Sequence, residues 1–399
     1  MMARVLKNRI FILMKRTITA LVLIFLMPVT VIHAFHDGGV GKCDGCHIMH
    51  NSQGSNNNWL LPGTDLSSVC LSCHAGTGSQ NSYHIASPDG SAMTPGGDFY
   101  WLNKDFIWAT GSSPGRSHGH NIVARDHGFF EDNVHINSPG GNYPSIDLGC
   151  TSCHDPHGKS NSGLPVSGSA SYGAVPATGT ALGNYRLLGG TDYDGGEHVQ
   201  GFAFYNPSPV ARQNSAIQYG ETDSSHVDYG SGMSEWCVNC HEGILLNEHT
   251  SVNHSFKHIS GLSALLGDAV TRYNSYIKTG DLSGAINTAF LALVPFERGI
   301  TNATLLDPTS TMGPDSSSRI MCLTCHRAHA TAFPHIGRWD FSAELIVDSH
   351  PASGDGGVTG NDLFYSYYGR DMITKYGAQQ RNLCEKCHDV PRDGYPPGW

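Results

Sequence analysis

Beyond residue 32 the 399-residue chain has no apolar run long enough to span a bilayer, and no set of segments patterned to close a membrane barrel. The mature chain is therefore expected to be soluble or assembled at a surface. Basic residues are scarce too: 24 Lys and Arg face 34 Asp and Glu, and five of the basic ones (Arg4, Lys7, Arg9, Lys15, Arg16) precede the single long apolar stretch. Without that leader, 19 basic residues oppose 34 acidic ones, a formal charge of −15, which makes nucleic acid an unsuitable partner. Charged residues amount to only 15%, low for a disordered chain. Neither an internal repeat nor a strong linker marks a boundary, so residues 35–399 are read as a single domain. Finally, no cysteine stands alone, which excludes a lone reactive thiol.

The apolar stretch itself, Ile18 to Val31 (ITALVLIFLMPVTV), is short, broken by Pro28 and followed by Ile32-His33-Ala34. It has the form of a secretory signal peptide over residues 1–34, cut after Ala34. Met14 would open a leader of ordinary length, making residues 1–13 an upstream extension.

All 12 cysteines fall in six copies of one motif. They are Cys43/Cys46-His47, Cys70/Cys73-His74, Cys150/Cys153-His154, Cys237/Cys240-His241, Cys322/Cys325-His326 and Cys384/Cys387-His388. A C-x-x-C pair alone is ambiguous between a redox disulfide, half a zinc site and haem attachment. A histidine directly after every pair decides for covalent c-type haem. On one helical turn the two thiols share a face, so each can add to one vinyl of the same porphyrin, and the next residue presents an imidazole to the iron. Six motifs imply six haems, with His47, His74, His154, His241, His326 and His388 as proximal ligands.

Gly, at 48 residues, is well above ordinary usage. About 60 residues per haem allow irregular chain to wrap each porphyrin, and the porphyrins then supply apolar core. The expected fold is a loop-rich multihaem cytochrome with sparse short α-helices and very little β, built on six covalent haems. Short helices are expected at each motif, with longer ones over 262–277 and 283–293. Ser160 to Thr180 reads as loop.

The sixth position of each iron separates electron transfer from catalysis: open, it binds small molecules; filled by protein, it is closed. Of 23 histidines, one lies in the leader and six are proximal, leaving 16 for six vacancies, an excess that favours bis-histidine ligation. His50, His157 and His329 each follow a proximal histidine by three residues. They lie on the same side of their own porphyrin as the proximal ligand and can only reach a different haem. His84 and His120, beside apolar residues, and His36, near the mature N-terminus, complete the first set of distal candidates. His249, His254 and His258 form a second tier. His118, His127, His135, His198, His226, His335 and His350 are assigned to the surface by default. Carboxylate clusters such as Asp192 with Asp194, or Asp355 with Asp362, are read as solvated turns rather than cation sites.

Several longer strings resemble a known family: AFHDGGVGKCDGCHIMHNS from Ala34, MTPGGDF from Met93, GHNIVA from Gly119, CTSCHDPHGK from Cys150, GMSEWCVNCH from Gly232 and CLTCHRAHA from Cys322. They occur in order along the whole mature chain. It resembles the hexahaem outer-surface cytochromes of metal-reducing bacteria that polymerise into extracellular nanowires, the OmcS-like family. The resemblance implies bis-histidine haems in a continuous chain of alternating stacked and T-shaped pairs, and a histidine donated by each subunit to a haem of its neighbour. The position matching that donor is His50, and the matching acceptor is the haem of His326.

The leading expectation is a homopolymeric electron conductor, exported through the periplasm to the cell exterior. It would take electrons from outer-membrane cytochromes and deliver them to extracellular acceptors. A monomeric periplasmic or cell-surface shuttle would use the same haems but satisfy all axial positions internally. A multihaem reductase would keep one haem open, which six complete motifs disfavour.

Overall fold

The structure, a computed structural model, describes residues 46–47, 61–77, 84–146, 148–156, 185–194, 202–214, 220–245 and 259–389. The chain divides into two units, Met1–Ala34 and Phe35–Trp399, and every described residue belongs to the second. Loops dominate. The helices are α1 (Leu66–His74), α2 (Met233–Val238), α3 (Glu242–Leu245), α4 (Ala269–Ser275), α5 (Cys322–Cys325), α6 (Gly360–Ser366) and α7 (Met372–Tyr376), and the longest of them has 9 residues. Helices this short are unstable alone and persist through tertiary contacts. Two small antiparallel sheets join β1 (Phe106–Trp108) to β2 (Gly111–Ser113), and β3 (Val210–Gln213) to β4 (Val227–Ser231).

The motifs coincide with helical turns, as their spacing requires. Cys70 and Cys73 lie in α1, Cys237 in α2 and Cys322–Cys325 form α5; Cys150–Ser152 and Leu383–Lys386 are 3-10 turns. In four motifs the proximal histidine's N–H donates to the carbonyl of the first cysteine, at 2.9 Å for His154 and 3.0 Å for His241, His326 and His388. That bond closes one turn and places both sulfurs and the imidazole on one side of it.

The two longer helices expected from periodicity are not formed. Within 262–277 only α4 is helical, because the preceding backbone pairs with a distant segment: Gly261 N–H donates to Ile320 O, Ile320 N–H to Ala264 O and Leu266 N–H to Ser318 O, at 2.8–3.0 Å. Within 283–293 only Ile286–Thr288 makes a 3-10 turn. Residues 289–297 are all buried; Phe290 N–H donates to Thr311 O, and a turn closed by Val294 N–H on Leu291 O interrupts the segment. A short apolar run carries no period that distinguishes a helix from another buried conformation.

Side chains also build a core of their own beside whatever the porphyrins contribute. Phe99, Trp101, Phe106, Phe290, Leu293, Phe296, Phe333 and Trp339 belong to one buried cluster. A second cluster, including Tyr185, Leu188, Tyr229, Met321 and Leu323, joins the surroundings of the third motif to the fifth. Asp98 organises the loop before them: its carboxylate accepts from Ser87 N–H and hydroxyl, Ala92 N–H and Tyr100 N–H, at 2.5–3.1 Å. Burial still pushes its pKa up to about 6. Its own N–H donates to Ala330 O, tying this loop to the segment that carries His329.

Candidate haem-binding site

Two pairs of imidazoles face each other at a separation that fits an iron between them. The His154 and His329 ring centroids are 6.3 Å apart, and those of His120 and His241 are 6.0 Å apart. Metal–imidazole bonds of about 2 Å on each side, plus the radius of each ring, put trans imidazole centroids about 6 Å apart. Hydrogen bonding orients three of these rings and one more. Nδ1 of His154 bonds to Arg186 O, His241 to Pro139 O, His120 to Ala328 O and His326 to His335 O, all at 2.7–2.8 Å. A carbonyl partner fixes the proton on Nδ1 and leaves the Nε2 lone pair for a metal. Burial favours the neutral, ligand form of His120, His241, His326 and His329: His241 is pushed down to about 4 and His329 to about 3, the latter aided by the proximity of His154. The His329 Nδ1 is buried without a partner, and its ring is held instead by stacking on Phe99 at 4.8 Å.

The two facing pairs are mechanically linked. His120 N–H donates to His329 O at 2.9 Å, so rings serving two different sites stand shoulder to shoulder. His329 in turn is seated by its N–H donating to Gly96 O at 2.7 Å. A methyl group on Gly97, where φ is +105°, would lie 2.0 Å from Ala330 O. Only glycine fits that approach.

Successive motifs interact in an alternating pattern. Cys70 is hydrogen-bonded to Cys150, and Cys237 to Cys322, so even motifs meet the next odd motif through their first cysteines. Each odd motif's second cysteine is within electrostatic reach of the next even motif: Cys46 of Cys70, Cys153 of Cys240, and Cys325 of Cys384 and Cys387. Here the free sulfurs stand for the thioether sulfurs of an attached haem. Ser67 and Ser234, each three residues before an even motif's first cysteine, clamp the even-to-odd junctions. Their hydroxyls accept from Cys150 N–H and Cys322 N–H, both at 3.0 Å. Nothing in one sequence distinguishes these serines from the many others, and sequence reasoning missed them.

Also missed were the loops behind His154 and His326, which share one strained design. Arg186 and Leu187 have φ of 51° and 56°, and His335 and Ile336 have 60° and 59°, a region costly for residues other than glycine. In each loop the first of the pair presents the carbonyl that accepts from the proximal imidazole. The second accepts from the N–H after that histidine, Asp155 or Arg327. Two residues later, Leu188 and Gly337 bridge back to His154 and His326.

Of the remaining sequence candidates, His84 is buried with Nδ1 unpartnered, beside Gly76. His47, His74 and His388 occupy their motif positions. Cys43, His36, His50, His157, His198, His249, His254 and His258 lie outside the described residues. The surface assignment fails for two histidines. His118 is fully buried, with Nδ1 on Trp101 O and Nε2 on the Ser113 hydroxyl, so neither nitrogen is available to a metal. His226 is fully buried, stacked 3.8 Å from Phe290, with Nδ1 and Nε2 on the carbonyls of Val227 and Ser310. His350 is half-buried, stacked 4.0 Å over Trp108 with Nδ1 on Asp355.

Comparison with known proteins agrees with this chemistry. A family model described as the doubled CXXCH motif matches residues 36–79. The C-type cytochrome OmcS of Geobacter sulfurreducens is 38% identical over 94% of this chain and 98% of its own length. Two solved structures from that organism, an Outer Membrane Cytochrome S filament and the OmcS nanowires, match at 38% identity with a TM-score of 0.74, covering 88% of this chain and 99% of theirs. The chain binds haem c and belongs to the OmcS family of c-type cytochromes.

Proposed function

We propose that this chain is a subunit of an extracellular filament that conducts electrons over long distances along a continuous line of six bis-histidine c-type haems. The observation that supports this reading is that each motif from Cys46 to Cys387 interacts with the next, through sulfur hydrogen bonds at Cys70–Cys150 and Cys237–Cys322 and electrostatically at the other three junctions. When bound, haem supplies the one-electron iron couple, and the protein works as a conduit rather than an enzyme. The chain's part is to hold each porphyrin by two sulfurs and an imidazole, to supply a second imidazole, and to fix neighbours through Ser67, Ser234 and the His120–His329 bond.

In this reading His329 closes the haem of His154, and His120 that of His241. His329 belongs to the fifth motif and serves the third, two motifs back. The same step takes His157 from the third motif to the haem of His47. It takes His50, from the first motif of the next subunit, to the haem of His326. The remaining vacancies, at His74 and His388, fall to His84, His36 and the second-tier His249, His254 and His258. Residues 1–34 act as the export signal, outer-membrane cytochromes feed the filament, and extracellular acceptors drain it.

The test is electron microscopy with haem spectroscopy of secreted His50→Ala protein. Short or absent filaments, with one high-spin haem per subunit, are expected. Filaments of normal length with six low-spin haems would show that no ligand crosses between subunits, and a chain that never polymerises in its parental form would favour the monomeric shuttle.

A further inference from the structure

The fifth motif sits on a buried cluster of charge that has no counterpart at the third motif among the described residues. Arg327, the residue after His326, donates from Nη1 to Glu221 Oε2 at 2.9 Å and to Pro95 O at 2.8 Å, with its guanidinium 3.7 Å over the Tyr368 ring. Arg338 reaches the same carboxylate oxygen at 3.3 Å. It also grips the motif itself: Nε donates to Leu323 O at 2.7 Å and to His326 O at 3.0 Å, and Nη1 to Ala292 O at 3.0 Å. The Arg327, Arg338 and Glu221 side chains are at most 1% exposed. Arg370, half-buried, donates to the Glu221 main-chain carbonyl. Burial opposes ionisation of Glu221, but the surrounding guanidiniums overcome it and hold the carboxyl below its usual range. Arginine does not deprotonate in proteins. Two guanidiniums therefore share one carboxylate, and a net positive charge is locked in a dry site one residue from the iron ligand. The Arg338 Nη2 and Glu221 Oε1 are both buried without partners, so hydrogen bonding satisfies the cluster only in part.

The strained loops described above supply an internal comparison. Arg338 N–H donates to Cys325 O as Gly189 N–H donates to Cys153 O, so the loop position that carries a buried guanidinium at the fifth motif carries no side chain at the third. The residue after the proximal histidine is Arg327 in one and Asp155 in the other. Arg186, near the third site, is the counterpart of His335 and donates to the Tyr185 hydroxyl. On the Cys322 side, half-buried Glu235 and buried Glu297 also interact with the fifth motif.

We propose that the Arg327–Arg338–Glu221 cluster acts as a fixed positive charge that raises the reduction potential of the haem held by Cys322, Cys325 and His326. The fifth site then lies higher in potential than the same site would without the cluster. Electrostatics sets the sign: reduction removes one positive charge from the iron, and a neighbouring positive charge favours the reduced form. A unit charge about 10 Å from a redox centre, at an effective dielectric of about 20, changes the reduced-to-oxidised ratio by roughly tenfold. For a one-electron couple that tenfold change is about 59 mV. The inference rests on the proposed function only in requiring a haem at this motif.

Potentiometric titration of the haem-loaded chain, followed by absorbance and by EPR, tests it with variants of opposite sign. Arg338→Gln and Arg327→Gln each remove a positive charge, and one haem's share of the titration should move to lower potential by about tenfold in ratio. Glu221→Gln removes the negative charge, and the same share should move upward by a similar factor. Arg338→Lys keeps the charge and should leave the curve near its parental position. A purely structural cluster would shift the curve in one direction for every variant, or not at all, and either result overturns the proposal. Should one variant fail to accumulate, the opposite-sign variant with Arg327→Gln still decides the matter. Peptide mass spectrometry separates the two failures. Loss of haem from the Cys322–Cys325 peptide of the parental chain contradicts the proposed function, whereas a retained haem with no charge-dependent shift contradicts only this inference.

Discussion

Replacing His329 by alanine isolates what the imidazole contributes. The backbone of residue 329 stays where its two bonds hold it, its N–H on Gly96 O at 2.7 Å and its carbonyl accepting from His120 N–H at 2.9 Å. Losing the ring forfeits the stack on Phe99, worth about 0.5–1.5 kcal/mol, and leaves a cavity. Together these cost about 2–4 kcal/mol, at the lower end of aromatic truncations. The fold should survive, and the iron opposite His154 should lose its second axial ligand. About one-sixth of the haem iron is then expected to become high-spin in the oxidised protein, and the same fraction should bind carbon monoxide when reduced. Absorbance, EPR and a carbon monoxide titration read these fractions directly. His118→Ala is the comparison: His118 is fully buried, but both of its nitrogens are already engaged, so this variant should lose thermal stability without any change of spin state. A fully low-spin His329→Ala protein that takes up no carbon monoxide would refute the assignment of His329 opposite His154.

Two further predictions concern the scaffold. Gly97→Ala combines a φ of +105° with a new methyl group 2.0 Å from Ala330 O, so it should lower stability by about 2–4 kcal/mol and partly loosen His329. Denaturant unfolding together with the high-spin fraction would check it, and a variant with parental stability would contradict the close approach. Glu297 is buried, with Oε1 accepting from Met233 N–H at 2.7 Å and Oε2 unpartnered; burial first, then the Glu235 charge, raises its pKa to about 7. A raised carboxyl favours the protonated fold, so its contribution is complete below the unfolded value of 4.5 and is lost as pH climbs through 7. Glu297→Gln should remove that loss, making the variant more stable than the parent at pH 8 by on the order of 3 kcal/mol, with little difference at pH 4. Urea unfolding at the two pH values measures it, and a difference independent of pH would refute the reading.

The legible parts of this protein are those whose chemistry is local. Cysteines at i and i+3 with histidine at i+4 dictate a turn of helix and a covalent haem wherever they occur, and His154, His241, His326 and His388 each close that turn with the same backbone bond. The offset of three residues in His329 also carries information, because one helical turn cannot bring a ring to the opposite face of its own porphyrin. The failures were of another kind. The apolar runs at 262–277 and 283–293 satisfied helical periodicity, yet backbone pairing with residues 318–320 claimed the start of the first, and complete burial from residue 289 onward claimed the end of the second. His118 and His226 were assigned to the surface by default, and only the folded chain surrounds them with carbonyls and rings.

What the sequence determined by itself is the count of C-x-x-C-H motifs, the loop-rich character and the family, since each follows from short strings or from composition. Tertiary structure alone decided which histidine faces which motif, which serines clamp neighbouring motifs, and where charge is buried without a matching partner. Those features depend on residues brought together from 80 to more than 200 positions apart, such as Ser67 with Cys150 or Arg327 with Pro95. No local pattern encodes such distances. They are fixed only when backbone carbonyls, imidazoles and guanidiniums must all be satisfied within one interior.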